Sequence, residues 1–252
     1  MTFSQTQIDE FHHQGFFIVR SMASRSICES MLQVIENSIS PPLAPVEFEA
    51  DVQYPGAPES RASDGGDTPR RLLHAFTRDQ VFRRWATCSG VTDRVKQLLK
   101  TDAIALSQNH HNCVMTKHPG FSSSTSWHQD IRYWLFDQPN LVSVWLALGA
   151  ETEQNGGMQL IPGSHRLQVD RGRYDAAFFL RQDLPDNQAL IESAVRAELN
   201  QGDVLFFHSG TFHAAGKNQT GSTKNSLVYT YRDQANRPIA GTRSAKFPDI
   251  DC

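Results

Sequence analysis

Apolar and polar positions follow two rhythms along this chain, and the change falls near residue 100. Before it the spacing is helical. Ile8 and Phe11, three apart behind a Ser4 or Thr6 cap, predict a short helix over 4–13 that Gly15 ends. Phe16-Phe17-Ile18-Val19 predicts a strand. Ile27, Met31, Val34 and Ile35 share one face of a helix expected over 24–37. Residues 40–69 break both rhythms with Pro41, Pro42, Pro45, Pro55, Pro58, Pro69, Gly56, Gly65 and Gly66. They predict a long loop, and a loop of that length in a compact domain serves as a lid or stays disordered. Two short helices are expected within 77–100.

From residue 103 the period shortens to that of strands. Strands are expected over 103–116, 131–136, 141–148, 158–161, 190–199, 204–208 and 225–232, with a short helical insertion at 175–181. Asn155-Gly156-Gly157, Pro162-Gly163-Ser164 and Gln201-Gly202-Asp203 supply turns. Helices followed by seven or more strands predict one α+β domain over 1–252. Its mainly helical part (1–100) carries the 40–69 lid, and 101–252 forms the core. A jelly-roll barrel, the double-stranded β-helix of cupin-like proteins, manages sheet edges in this way and opens an interior mouth to a metal. The helices are expected on its larger sheet.

Composition narrows the function. The chain has 252 residues, 39% hydrophobic and 20% charged, enough for a sizeable core. A net charge of −3 gives no electrostatic reason to expect nucleic acid or an anionic membrane as partner. The short basic pairs Arg70-Arg71 and Arg83-Arg84 read first as solvated faces. Cys28, Cys88, Cys113 and Cys252 form no C-x-x-C pair, which argues against a zinc or dithiol site. The start of the chain lacks a signal-peptide pattern, and no apolar run is long enough to span a bilayer. A cytoplasmic protein with free thiols is expected.

The chemistry is concentrated in Trp127-His128-Gln129-Asp130, behind the Ser-rich stretch 121–126. Residues i and i+2 of a strand share a face, so His128 and Asp130 can converge. They would supply two of the three ligands of a 2-His-1-carboxylate iron site. The third comes from the segment Gly202-Asp203-Val204-Leu205-Phe206-Phe207-His208 and on to His213. A Gly-Asp turn and an apolar strand deliver this segment to the core. Chemistry alone leaves both His208 and His213 open, although the small residues after His213 leave room at a metal.

The stretch from His128 to Arg232 resembles the phytanoyl-CoA dioxygenase family of Fe(II)/2-oxoglutarate oxygenases. The likeness rests on His128-Gln129-Asp130, Val144-Trp145-Leu146-Ala147-Leu148, Asn155-Gly156-Gly157-Met158, Pro162-Gly163-Ser164-His165 and 202–218. The pattern from Ile8-Asp9-Glu10-Phe11 to Gly15-Phe16 adds to it. The resemblance implies Fe(II) held by His128, Asp130 and His213, with 2-oxoglutarate and dioxygen as cosubstrates. Where this family places an arginine for the far carboxylate of 2-oxoglutarate, eleven positions after the distal histidine, this chain has Lys224, followed by Ser226. Lysine is a point charge where arginine is a planar fork. Three readings stay open: Lys224 binds the cosubstrate, another basic residue such as Arg71 does, or the cosubstrate is altered or absent. By resemblance Trp145, Gln129 and Cys113 touch the cosubstrate, and a carboxylate at Asp130 favours hydroxylation over halogenation.

Arg132 shares the expected inward parity of His128 and Asp130, and Tyr133 and Trp134 adjoin it. With Lys117 and Arg71 they point to a small, anionic substrate. The leading expectation is a hydroxylase of a small molecule. The alternatives are a cupin-like metal dioxygenase that does not use 2-oxoglutarate, and a non-catalytic metal- or ligand-binding domain.

Overall fold

The computed structural model describes residues 2–252 apart from Gln53 and Pro55; Pro55, one of the expected loop prolines, therefore lies outside the described residues. Helix α1 (Gln5–Gln14) starts at a reciprocal cap in which Ser4 Oγ accepts from the Gln7 amide and Gln7 Oε1 accepts from the Ser4 amide. It ends at Gly15, left-handed at φ 85°. Strand β1 (Phe16–Val19) and helix α2 (Arg25–Ile39, capped by Ser24) follow as the spacing predicts.

The proline-rich stretch is better ordered than a bare loop. It contains strand β2 (Val46–Phe48) and a turn of 3-10 helix (Glu49–Asp51), and Pro69 opens strand β3 (Pro69–Leu73). Arg61 ties it back with a two-pronged pair to Asp51 at 2.7 and 2.6 Å. Three helices, α3 (Ala75–Arg78), α4 (Gln80–Thr87) and α5 (Ser89–Leu99), stand where two were expected.

The strands are β4 (Ile104–Leu106), β5 (Asn112–Lys117), β6 (Thr125–His128), β7 (Leu141–Ala147) and β8 (Met158–Leu160). After helix α6 (Pro185–Glu192) come β9 (Val195–Arg196), β10 (Val204–His208), β11 (His213–Ala215), β12 (Lys224–Asp233) and β13 (Ile250–Asp251). The larger sheet runs β1-β10-β7-β12-β5-β3-β2, with β4 joining β12 and β13; the smaller runs β6-β11-β8-β9. Every ladder is antiparallel. This is the expected jelly roll, with helices on the outer face of the larger sheet.

Alternation along β7 and β12 explains that layering. Val142, Val144, Leu146, Leu227, Tyr229 and Tyr231 point outward into the helical layer. Trp145, Ala147 and Val228 point inward, with Cys113, Met158, Leu205 and Phe207. Both faces of these strands are covered, and β7 carries apolar residues at every position but Ser143.

Several local expectations fail for identifiable reasons. Residues 131–136 form no strand: a 3-10 turn (Asp130–Tyr133) leaves the small sheet, and the Ile131 amide bonds Ser209 O at 3.0 Å. Most of 190–199 is not strand because Pro185 starts α6; Val195–Arg196 pairs with β8, and Leu199 forms an isolated bridge to Glu151. No helix forms at 175–181, where the Asp175 carboxylate accepts from the Ala177 and Phe179 amides and holds a loop. The strand expected over 103–116 is broken at 107–111 into β4 and β5.

The Gly202-Asp203 turn locks the barrel end. Asp203 accepts from the Ser21 and Asn200 amides at 2.8 Å each and pairs with Arg20 at 2.7 Å. Gly202 sits at φ +87°, and a Cβ there would lie 2.4 Å from Ala23 O. Gly202→Ala should cost about 2 kcal/mol or more in urea unfolding followed by circular dichroism. A midpoint unchanged from wild type would show that this approach can relax.

Candidate active site

Strands β6 and β11 pair so that His213 stands directly opposite His128. Their rings are 4.2 Å apart. Each ring is set by a backbone carbonyl: His128 Nδ1 donates to Ser126 O at 2.9 Å and His213 Nδ1 to Thr211 O at 3.0 Å. A carbonyl can only accept, so the proton sits on Nδ1 and the Nε2 lone pair is free. Extended Gln129 (φ −116°, ψ 128°) keeps Asp130 on the side of His128, although strand pairing ends at His128. Asp130 Oδ1 lies 3.7 Å from His128 Nε2 and 3.9 Å from His213 Nε2.

One ligand atom from each of the three residues falls within 4.8 Å of the others. Asp130 Oδ2 is buried without a hydrogen-bond partner, an orphan that a cation would satisfy. Burial and the neighbouring His213 hold the His128 imidazole well below its usual pKa, so it is neutral. Burial pushes the Asp130 carboxyl up to about 6. Two imidazoles and a carboxylate are the donor set that suits iron, and the residues present fit it. His208 is elsewhere: its Nδ1 accepts from the Gly210 amide at 2.9 Å and its ring faces His165.

The cavity above the triad is lined by Arg71, Lys117, Tyr133, Trp134, Trp145 and Lys224 among the residues anticipated. Four anticipated residues do not line it. Gln129 donates to Gly210 O at 2.5 Å and accepts from Tyr174 OH at 3.1 Å. Arg132 loses its expected inward parity because the 3-10 turn rotates it onto Gln129 Oε1 (3.0 Å) and Tyr174 OH (2.7 Å). Cys113 packs in the apolar layer beneath, its thiol pushed up to about 11 by burial. Ser226 is fully buried and bonded to Lys224 at 3.1 Å.

The site also holds residues that the sequence did not flag. His110 and His111 line it, with His111 Nδ1 3.7 Å from Asp130 Oδ2 and His110 stacked on Trp134 at 4.7 Å. Glu49 and Tyr54 come from the lid, and Arg243 from near the chain end. Glu151, wholly buried, pairs with Lys224 at 3.1 Å. Its partner is 73 residues away, beyond any local motif. The adjacent His110-His111 pair was the one visible signal.

The fold and triad define a jelly-roll oxygenase scaffold, and the comparisons name its family. The phytanoyl-CoA dioxygenase (PhyH) family model matches residues 11–226. The chain belongs to that family. A probable phytanoyl-CoA dioxygenase of Caenorhabditis elegans is 26% identical over 180 residues, covering 66% of this chain and 55% of that protein. The ectoine dioxygenase of Halomonas elongata is 24% identical over 260 aligned positions, covering 96% and 74%. The chain thus spans about half the length of the phytanoyl-CoA dioxygenases it matches first. Among solved structures, the non-heme alpha-ketoglutarate-dependent epimerase SnoN from nogalamycin biosynthesis superposes with TM-score 0.70 at 20% identity, covering 91% and 82%. EctD from S. alaskensis with bound Fe gives TM-score 0.74 at 18% identity, covering 98% and 82%. These likenesses show the fold. Among the described residues no helix is long and apolar enough to cross a membrane.

Two outcomes follow. His128→Ala and His213→Ala should each lose Fe(II) or Mn(II) in metal analysis, while His208→Ala keeps it; the reverse would reassign the ligand. Burial, with Lys224 adding to it, lowers the Lys117 ammonium to about 7. Between that value and the unfolded lysine's higher one, the unfolded chain binds a proton that the folded chain lacks, so this group makes stability rise with pH. Urea titrations above pH 7 should show the rise in wild type and a flatter profile in Lys117→Met.

Proposed function

We propose that this protein is an Fe(II)/2-oxoglutarate-dependent dioxygenase that hydroxylates a C–H bond of a small, anionic molecule. The single observation that carries the reading is the triad: two Nε2 atoms held open by backbone pins face Asp130 Oδ1, and the second oxygen of that carboxylate, Oδ2, is buried without a hydrogen-bond partner. When bound, iron and 2-oxoglutarate supply dioxygen activation, with decarboxylation of the cosubstrate to succinate.

The chain's own residues do the rest. His128, Asp130 and His213 would hold the metal on one face and leave the cavity side for ligands. Trp134, Tyr133 and Tyr54 wall that side and exclude water. Arg71 favours an anionic substrate. Its guanidinium lines the cavity, and among the described residues its Nε makes no hydrogen bond and pairs with Glu47 at 3.3 Å. Its charge also acts on Asp130 and His111, so an anion held there would lie close to the metal. A single domain over 1–252 and a cytoplasmic location belong to the same proposal.

A second reading, a metal dioxygenase that does not use 2-oxoglutarate, draws on the Lys224–Glu151 pair, because a protein carboxylate already sits on the expected anchor. Anaerobic Fe(II) with 2-oxoglutarate decides between them. The first reading expects a weak visible charge-transfer band and slow succinate release in air, both absent in His213→Ala. Metal binding without either signal would favour the second. Arg71→Ala should keep the band but lower by about tenfold or more the stimulation of succinate release by small carboxylates or phosphate esters.

A further inference from the structure

The inner face of the larger sheet carries two lysines in direct register, Lys117 on β5 and Lys224 on β12. Directly paired residues share a face, so two like charges meet at the cavity end. Their surroundings differ. Lys224 Nζ donates to Glu151 Oε2 at 3.1 Å. The same carboxylate, through Oε1, accepts from Trp145 Nε1 at 2.9 Å and from Ser226 Oγ at 2.6 Å. Trp145, Lys224 and Ser226 each give a bond to this one protein carboxylate, and Lys224 Nζ also donates to Ser226 Oγ at 3.1 Å, so the charge of the expected anchor is already matched within the protein. Glu151 is held at its backbone as well, donating to Leu199 O at 2.8 Å and accepting from the Leu199 amide at 3.0 Å. Displacing its side chain would strand a charge that has no exposure to water.

Lys117 has no such partner. Its Nζ donates to Ser123 O at 3.0 Å and Gly216 O at 2.5 Å, both neutral carbonyls. A third N–H remains, and among the described residues no carboxylate pairs with it. The site is shaped around its stem: a Cβ on Gly156 would lie 2.8 Å from Lys117 Cδ and 2.6 Å from Gly216 O. Arg70, the other buried cation at this end, already faces Glu47 at 3.5 Å and Glu49 at 3.7 Å.

We propose that Lys117, and not Lys224, receives the distal carboxylate of 2-oxoglutarate, while Glu151 and Lys224 form a self-neutralised floor beneath it. This rests on the 2-oxoglutarate reading above. The cosubstrate would then lie along β5, its keto-acid end at the triad and its far end against the half-buried Lys117 ammonium, which has no carboxylate paired with it among the described residues.

The test is calorimetric titration of Mn(II)-loaded protein with 2-oxoglutarate and with 2-oxopentanoate, which has the same chain without the distal carboxylate. Wild type should prefer 2-oxoglutarate by about thirtyfold or more. Lys117→Met should lose that preference while binding Mn(II) and 2-oxopentanoate as wild type does, and Lys117→Arg should recover part of it. The double variant Glu151→Gln/Lys224→Met removes both charges of the floor and leaves an acceptor for Trp145 and Ser226; its preference should stay within threefold of wild type. Retention of the preference in Lys117→Met, or its loss in the double variant, overturns the assignment to Lys117 and leaves the cosubstrate reading standing. Failure of wild type to bind 2-oxoglutarate at all overturns both.

Discussion

The site depends on one cross-strand pair. His128 and His213 face each other because β6 and β11 are hydrogen-bonded in that register. A slip of one residue would send both imidazoles to the outside of the small sheet, where Trp127 and Phe212 now pack in an apolar cluster. The carbonyls of Ser126 and Thr211 then choose the tautomer. Metal-binding geometry is thus a by-product of strand pairing, and Asp130 has only to be carried two residues past the strand end to meet it.

The second organising constraint is charge balance in a closed space. The inner face carries Arg71, Lys117 and Lys224 close to a triad that would itself hold a dication. One of these cations is neutralised by a fully buried glutamate, which costs less than leaving it alone. The other two lack full partners, and a small site with unmatched positive charge is preorganised for anions. The lid contributes Glu49 and Tyr54, so the proline-rich segment that looked like a loop is part of the cavity wall.

Residues with local causes were legible. The caps at Ser4 and Ser24, the Gly202-Asp203 turn and the wholly buried β7 reflect interactions between near neighbours or burial on both faces. The strand expected at 131–136 failed because its aromatic residues serve the cavity and the His110 stack instead of a ladder. The same turn carried Arg132 away from the site, while extended Gln129, between His128 and Asp130, points to the opposite side. Parity arguments hold only while the backbone stays extended, and nothing in the side chains of 130–133 announces that it stops.

By itself, the sequence determined the jelly-roll class, the His128-x-Asp130 pair and the segment that bears His213, because periodicity and short spacings are written in adjacent residues. Only the tertiary structure showed where His208 lies, bonded to the Gly210 amide and facing His165, placed His111 beside Asp130, and brought Glu151 onto Lys224. Those decisions come from strand register and from contacts between residues far apart in the chain. The balance of buried charges is set there too, since a lysine's surroundings depend on which strands lie beside it.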